Sequence, residues 1–248
     1  MTRAERKYGS IVKSMPDEVT KAIEATFDLT AEKLPSRSII APYVKDPFEN
    51  TFGIKPINDI LSSENRWLTP FVVREMYLEH SFVAYTDEML HAMKRFCDKK
   101  KFKKVHELCC GTGWFSHWMK KYGIPLDKAI DNKTWSTYKN DNKFLPIVTQ
   151  NDAARFVKTA GDADMFVLSW PYMDPLARMI WDAMKPGQYL LYIGEDYGGC
   201  TADPSFFDAV QGCRIDNDKD FNKIVKSFVQ FNGLHDRPEL YQKRLQKL

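Results

Sequence analysis

The sequence lacks several features that define common protein classes. No apolar run within its 248 residues approaches the ~20 residues that a transmembrane helix needs. The charged amino terminus is followed by no apolar core of signal-peptide length, so we expect a cytoplasmic protein without a secretory signal. The formal net charge is only +3, which is too small to attract nucleic acid or an anionic membrane by itself.

Cysteine and histidine are both scarce and scattered. The five cysteines are odd in number and contain no Cys-x-x-Cys pair, which favours reduced thiols over a disulfide framework or a zinc site. The five histidines form no cluster with metal-ligand spacing. We therefore expect no metal in this protein, and structural or surface roles for its histidines.

The composition that remains is that of an ordinary globular protein, with 44% hydrophobic and 28% charged residues. Residues 1–85 mix helical periodicity, as at Val19 and Ile23, with proline-punctuated pieces. This pattern predicts a mainly helical extension that could not bury a core alone and that serves as a substrate lid or cap. Residues 86–248 are predicted to form one α/β domain.

Short apolar runs alternate with amphipathic segments in this second region. Such alternation indicates a parallel sheet with helices on both faces. Two later runs, 224–231 and 239–245, flank a turn and predict a C-terminal hairpin that closes the sheet with an antiparallel strand. The predicted parallel strands are 105–110, 128–131, 145–149, 165–168 and 189–193.

The first of these strands runs directly into a glycine turn and then a helix. Gly111 and Gly113 permit a tight turn and a close approach of the backbone to a ligand. Asp131 ends the next predicted strand, 20 positions after Gly111, where a carboxylate can accept the hydroxyl groups of a ribose. These residues together indicate a site for a nucleoside-containing cofactor.

The turn resembles the first motif of the class I S-adenosylmethionine-dependent methyltransferases. That motif reads acid-x-Gly-x-Gly-x-Gly, and here it reads Glu107-x-Cys109-x-Gly111-x-Gly113, with Cys109 in place of the first glycine. The resemblance implies a Rossmann-like sheet with S-adenosylmethionine as the cofactor. It places Glu107 near the methionine amino group, and the turn from Cys109 to Gly113 under the cofactor.

The same resemblance assigns two further carboxylates. It implies that Asp131 binds the ribose and that Asp152, after the third predicted strand, contacts the adenine. A nicotinamide-binding Rossmann unit is an alternative, because it shares the strand, the turn and the ribose acid. However, Ser116 stands where that fold has a third glycine, and no second glycine fingerprint follows. A turn that binds nothing is a further alternative.

The fourth predicted strand ends in Ser169-Trp170-Pro171-Tyr172. This segment resembles the (Asp/Asn/Ser)-Pro-Pro-(Tyr/Phe/Trp) sequence of family members that methylate nitrogen, with Trp170 replacing the first proline. The resemblance implies that Ser169 and a neighbouring carbonyl hold the N–H groups of the acceptor while Tyr172 stacks on its plane. Alternatively, Trp170 and Pro171 simply end the strand.

Glu195 begins a glycine-containing loop, 195–201, after the fifth predicted strand. Ligands bind at this edge of such sheets, so Glu195 is a candidate base or substrate anchor. A solvated surface loop is the alternative. Further candidates for lining the cofactor pocket are Tyr85, Trp114 and Trp135.

The lysine-rich run 99–104 precedes the first predicted strand. Because the ligand-bearing edge lies at the other end of that strand, we interpret the run as a solvated turn and not as a nucleic-acid track.

The sequence thus predicts an enzyme that moves the sulfonium methyl group of S-adenosylmethionine to a nitrogen acceptor by in-line displacement. The acceptor is a small molecule, a protein or a nucleic acid, and no membrane partner is expected. One alternative is O- or C-methylation of a small molecule with Glu195 as the base. Another is a catalytically silent scaffold that keeps the fold.

Overall fold

The computed structural model describes residues 9, 12–13, 15–44, 69–78, 80–134, 144–231 and 233–245. Trp135, a candidate to line the cofactor pocket, lies outside the described residues. The chain divides into two compact units, one formed from Met1–Glu88 with Ser227–Leu234 and the other from Met89–Lys226 with His235–Leu248. The division into functional domains 1–85 and 86–248 stays a prediction.

The first unit is mainly helical in its described part. It contains α1 (Asp17–Thr26), α2 (Arg37–Val44) and α3 (Thr69–Leu78). Their buried apolar side chains form a core that also includes Val229 and Phe231. The segments of this region thus share their core with residues from far along the chain. Their role as a substrate lid or cap stays a prediction.

The second unit is built on a six-stranded sheet. Its strands are β1 (Val105–Leu108), β2 (Leu126–Asp131), β3 (Val148–Gln150), β4 (Met165–Ser169), β5 (Tyr189–Gly194) and β6 (Arg237–Gln242). The remaining helices of the described residues are α4 (Asp87–Lys100), α5 (Trp114–Lys121), α6 (Ala153–Thr159), α7 (Leu176–Ala183), α8 (Pro204–Val210) and α9 (Phe221–Ser227).

The strand order is β3-β2-β1-β4-β5-β6, and every neighbouring pair is parallel except β5 and β6. Strands β1, β4 and β5 are buried along nearly their whole length, as expected when helices cover both faces of a parallel sheet. This arrangement confirms the predicted Rossmann-like α/β fold, mostly parallel with a C-terminal antiparallel strand.

The C-terminal region differs from the predicted hairpin in one respect. The antiparallel strand is present as β6, but it pairs with β5, and the run 224–231 is helical as far as Ser227. Phe221 and Ile224 are both buried and lie one helical turn apart in α9. A short apolar run of this kind does not distinguish a strand from one face of a helix.

Helices pack against the sheet and against each other. Helices α6, α7 and α8 share a buried cluster with strand residues, in which Ala153, Ile180 and Phe206 take part. Phe96 of α4 packs against Phe221 of α9, with ring centroids 6.0 Å apart. Within the described ranges, no helix combines the length and the apolar character that crossing a bilayer requires.

The parallel strands bring the predicted site residues to one edge. Strands β1 to β5 all end there, and the chain reverses its direction of travel across the sheet between β1 and β4. Open α/β sheets bind ligands at this switch point. The edge carries the glycine turn after β1, Asp131 at the end of β2, Asp152 after β3, Ser169 at the end of β4 and Glu195 after β5.

Candidate active site

The turn that follows β1 contains three residues in the left-handed backbone conformation, at alternate positions. Cys109, Gly111 and Gly113 have φ angles of 54°, 55° and 89°. A Cβ added at Gly113 would lie 2.5 Å from Cγ2 of Val148, so packing requires glycine there. A Cβ added at Gly111 would meet nothing within 4 Å, so the space beside this residue is open to a ligand.

Asp131 ties the glycine turn to the end of β2. Its Oδ2 accepts the N–H of Gly111 at 2.9 Å, and its Oδ1 accepts the N–H of Lys133 at 2.6 Å. Burial raises the pKa of Asp131, and these two donors oppose the shift. Because each carboxylate oxygen has two lone pairs, both can accept further bonds. Asp131 therefore lies at the turn, and its contact with a ribose stays a prediction.

Glu107 is buried on β1, with 2% of its surface exposed. The hydroxyl group of Ser116, in α5, donates to Oε2 of Glu107. Burial raises the pKa of Glu107 to about 8, which the charge of Asp131 reinforces and the hydrogen bonds from Ser116 oppose. Ser116, which replaces the third glycine of a dinucleotide-binding turn, thus hydrogen-bonds to Glu107, the acid of the first motif. Glu107 and Ser116 are nine positions apart in different elements, and no sequence pattern predicts this hydrogen bond.

The Cys109 thiol lies within the field of carboxylates from neighbouring strand ends. Burial raises its pKa to about 12, and the negative charges of Asp131, Asp174 and Asp152 act in the same direction. Cys109 is therefore a neutral side chain at an acidic edge, and such an edge favours a positively charged ligand. Asp174 belongs to no motif, and its only signal in the sequence is its position shortly after β4.

Asp152 begins helix α6. Its Oδ1 accepts the N–H of Arg155 at 2.7 Å, which is the hydrogen bond of an N-terminal cap. The N–H of Asn151 donates to the carbonyl of Asp131 at 3.0 Å and so joins the ends of β2 and β3. Asp152 has this structural contact in the protein, and its contact with adenine stays a prediction.

Ser169 ends β4 with a buried hydroxyl group. Its Oγ has no hydrogen-bond partner within the described part of the chain, which leaves it available to a ligand. The next residue, Trp170, has a φ of 49°. Proline is restricted to φ near −65°, so Trp170 does not reproduce the backbone of the proline that it replaces in the motif.

Pro171 and Tyr172 continue the segment in different environments. Pro171 is buried, whereas 55% of the Tyr172 surface is exposed. Burial of part of its ring raises the pKa of Tyr172, and the charges of Asp131 and Asp174 add to the shift. The predicted acceptor segment and the predicted ribose acid are therefore within electrostatic reach of each other.

Glu195 is a buried residue with both carboxylate oxygens engaged. Oε2 accepts the N–H of Cys200 at 2.6 Å, and Oε1 accepts the N–H of His235 at 3.1 Å. Burial acts to raise the pKa of Glu195, but these donors outweigh it and the pKa is lowered. The interpretation of Glu195 as a solvated loop residue is wrong, because the residue is 5% exposed.

The loop that follows Glu195 is tightly built. The N–H of Glu195 donates to Oγ1 of Thr201 at 2.7 Å, and the hydroxyl of Tyr192 lies 2.7 Å from the same oxygen. A Cβ added at Gly199 would lie 2.4 Å from Cβ of Glu195, so the loop closes on itself at this glycine. Glu195 consequently holds the loop in shape and links it to His235.

Further candidates have structural contacts of their own. Tyr85 belongs to the first unit, where its hydroxyl contacts Ser81. In the lysine-rich run, Lys100 pairs with Asp218 at 2.7 Å and Lys104 pairs with Asp162. Among the residues placed in the structure, no group of three or more His, Cys, Asp and Glu side chains is arranged to hold a metal ion.

The strand order and the parallel pairing of β1 to β5 define a Rossmann-like α/β fold. No protein-family model matches the sequence, and no curated protein is significantly similar to it. The similar solved structures include TehB from Haemophilus influenzae, with 14% identity over 61% of this chain and 61% of that one, and a TM-score of 0.39.

Two further structures show the same range of similarity. An O-methyltransferase family protein from Burkholderia thailandensis has 14% identity over 75% of this chain and 64% of that one, with a TM-score of 0.42. Human N-acetylserotonin methyltransferase in complex with SAM has 14% identity over 92% of this chain and 67% of that one, with a TM-score of 0.38. The chain thus spans 61% and 64% of the length of the two bacterial proteins.

Proposed function

We propose that the protein is an S-adenosylmethionine-dependent methyltransferase. The observation that carries the proposal is the open space beside Gly111, at the switch point of the sheet and in hydrogen-bonding contact with Asp131. An adenosyl sulfonium needs a backbone that it can approach closely and a carboxylate that accepts its ribose hydroxyls. The acidic surroundings of Cys109 suit the positive charge of such a ligand.

When bound, S-adenosylmethionine supplies a methyl group on a positively charged sulfur. In this proposal Asp131 holds the ribose hydroxyls with lone pairs that the backbone donors leave available. Glu107 accepts a hydrogen bond from the methionine amino group, and Asp152 lies at the adenine. The turn from Cys109 to Gly113 provides the surface against which the cofactor rests.

A nitrogen atom is the acceptor that this site favours. The neutral form of a nitrogen acceptor attacks through its lone pair and can lose its proton after the methyl group arrives, so it needs no strong base. Glu195, the candidate base for oxygen or carbon acceptors, has a lowered pKa and accepts two backbone N–H groups. Ser169 has a buried hydroxyl available to accept an N–H, and the exposed ring of Tyr172 can stack on a planar acceptor.

A paired glycine substitution tests the cofactor site. Gly111→Ala places a methyl group in the proposed cofactor space, whereas Gly187→Ala places one in open space in the turn before β5, at the opposite edge of the sheet. Both glycines have positive φ, 55° and 93°, so each substitution introduces backbone strain. We expect Gly111→Ala to weaken the binding of S-adenosylhomocysteine about tenfold or more, and Gly187→Ala to leave it unchanged.

Calorimetry on the wild type and the two variants measures this difference. Equal affinities in all three proteins would contradict the proposed site, and so would a wild type that binds a dinucleotide and not S-adenosylhomocysteine. Transfer of labelled methyl groups from S-adenosylmethionine to fractionated metabolite, protein and nucleic-acid pools then identifies the class of acceptor.

The alternatives make different predictions in the same assays. An O- or C-methyltransferase that uses Glu195 as its base would show a steep pH dependence of its rate that Glu195→Gln abolishes. A catalytically silent scaffold would bind S-adenosylhomocysteine, transfer no methyl group to any pool and be indifferent to Ser169→Ala.

A further inference from the structure

Trp170 is held in a backbone conformation that bulky residues rarely adopt. Its φ of 49° lies in the left-handed region, which glycine and asparagine occupy far more readily than tryptophan does. Such residues persist only where the surroundings enforce them, and they cluster at active sites and ligand-binding segments. The residue lies between Ser169 and Pro171 in the proposed acceptor segment.

Two hydrogen bonds enforce this conformation. The backbone N–H of Trp170 donates to the carbonyl of Ile193 on β5 at 2.7 Å, and the indole Nε1–H donates to Oδ2 of Asp236 at 3.0 Å. Asp236 is 1% exposed, which is unusual for a carboxylate and requires compensating hydrogen bonds. The indole of Trp170 thus fixes the end of β4 to the segment that leads into β6.

Two further hydrogen bonds join the end of β4, the loop after β5 and the segment before β6. The N–H of His235, next to Asp236 in the chain, donates to Glu195, and the N–H of Ala202 donates to the carbonyl of Pro171 at 3.4 Å. The acceptor segment, the loop after β5 and the segment before β6 are consequently joined to one another. The buried hydroxyl of Ser169 lies directly before the strained residue.

We propose that Trp170, anchored by the buried Asp236, is a positioning residue for the methyl acceptor. This inference rests on the proposed methyl transfer and assigns a role to two residues outside the cofactor site. Trp170 acts through its backbone, because its φ angle sets the directions in which the chain presents Ser169 on one side and Pro171–Tyr172 on the other. Asp236 contributes indirectly, because it accepts the indole N–H and so keeps Trp170 in this conformation.

Four single variants separate this role from a general loss of stability. Trp170→Phe keeps an aromatic ring but removes the indole N–H, and Asp236→Ala removes its acceptor. Asp236→Asn is the conservative variant, since an amide oxygen still accepts the indole N–H. Trp181→Phe is the matched control, because Trp181 is a buried tryptophan of the same unit that lies in α7 and packs against Tyr241.

The assay uses labelled S-adenosylmethionine with the pool fraction that the wild type methylates, together with calorimetry of S-adenosylhomocysteine. We expect Trp170→Phe and Asp236→Ala to lower kcat about tenfold to a hundredfold through misplacement of the acceptor. Their affinity for S-adenosylhomocysteine should stay within about twofold of the wild type, because the indole of Trp170 bonds to Asp236 and neither residue is assigned to the cofactor. Asp236→Asn should restore most of the rate, and Trp181→Phe should leave rate and affinity unchanged.

The double variant completes the test. If Trp170 and Asp236 act as one unit, Trp170→Phe combined with Asp236→Ala should be no slower than the slower single variant.

A kcat in Asp236→Ala equal to that of the wild type overturns the inference, and so does a loss of rate in Asp236→Asn as large as in Asp236→Ala. A wild type that fails to bind S-adenosylhomocysteine, or that binds it but methylates no pool, shows instead that the proposed function itself is wrong.

Should Trp170→Phe fail to fold, the comparison of Asp236→Ala with Asp236→Asn carries the same test, since both leave the tryptophan in place. Thermal unfolding of each variant sets an assay temperature well below its midpoint. A purely structural role would then shift the midpoint and leave kcat unchanged, which contradicts positioning.

Discussion

The backbone N–H of Gly111 donates to Oδ2 of Asp131 at 2.9 Å, although the two residues are 20 positions apart in the chain. The carboxylate that is expected to bind a ribose therefore also holds the turn on which the cofactor would rest. This dual contact couples the geometry of the glycine turn to the end of β2.

Asp131→Ala should weaken both cofactor binding and the fold. Loss of hydrogen bonds to a charged group costs about 1.5–3 kcal/mol, and we expect this loss in the free energy of S-adenosylhomocysteine binding. Removal of the acceptor for the N–H of Gly111 should also lower the free energy of unfolding. Calorimetry and denaturant titration measure the two effects. The control is Asp208→Ala, at an exposed position in α8, and unchanged affinity in Asp131→Ala would remove the ribose assignment.

The parts of the site that are local in sequence could be predicted from it. The turn at Gly111 and Gly113 and the acid Asp131 belong to adjacent strand-turn segments, and the strand-helix alternation determines that both end at one edge of the sheet. Ser169 was placed at the same edge for the same reason. These inferences need only the order of elements along the chain.

The remaining features depend on partners that are distant in sequence. The burial of Glu195 follows from the N–H of His235, and the strained backbone of Trp170 follows from Asp236, 66 positions later. Val229 completes a core with helices near the amino terminus in the same way. No periodicity or local motif encodes such contacts, so a base, a substrate anchor and a solvated residue are equally compatible with the local sequence around Glu195.

Glu107 should make the stability of the protein depend on pH. Its pKa is raised from an ordinary value near 4.5 to about 8, so the neutral form is favoured in the folded state. The stability that this preference contributes is complete below the unfolded value and is lost as the pH rises through about 8. Glu107→Gln stays neutral and can still accept the Ser116 hydroxyl.

The free energy of unfolding of the wild type should therefore fall relative to that of Glu107→Gln between pH 5 and pH 9, by an amount on the order of a few kcal/mol. Urea denaturation of both proteins at the two pH values measures the difference. Parallel stability curves for the two proteins would show that Glu107 does not titrate in this range.

Cys109→Gly should preserve cofactor binding, because glycine occupies this position in the motif that the turn resembles. Cys109 has a φ of 54°, and Lys101, an exposed residue after α4, has a φ of 58°. Relief of the left-handed strain alone should stabilise Lys101→Gly by about 1 kcal/mol. Cys109→Gly gains the same relief but loses the packing of a partly buried thiol, so its net stabilisation should be smaller. Thermal unfolding of both variants gives this difference, and loss of S-adenosylhomocysteine binding in Cys109→Gly would instead assign the thiol a direct contact.

His106 should cause a loss of stability in mild acid. The ring is 2% exposed, lies 5.0 Å from the Phe156 ring between centroids, and makes no hydrogen bond from either nitrogen within the described residues. Burial lowers its pKa and the charge of Lys104 adds to this, whereas Asp127, with Oδ2 3.9 Å from Nδ1, opposes the shift.

A lowered folded-state pKa means that the neutral ring contributes its stability above the unfolded value of about 6.5, and that this contribution is lost as the pH falls. The wild type should therefore lose more stability than His106→Leu between pH 7 and pH 5. Asp127→Asn removes the opposing charge and should make the loss larger still. Denaturant titration of the three proteins at both pH values measures these differences. An equal loss in the wild type and His106→Leu would assign the acid sensitivity to other groups.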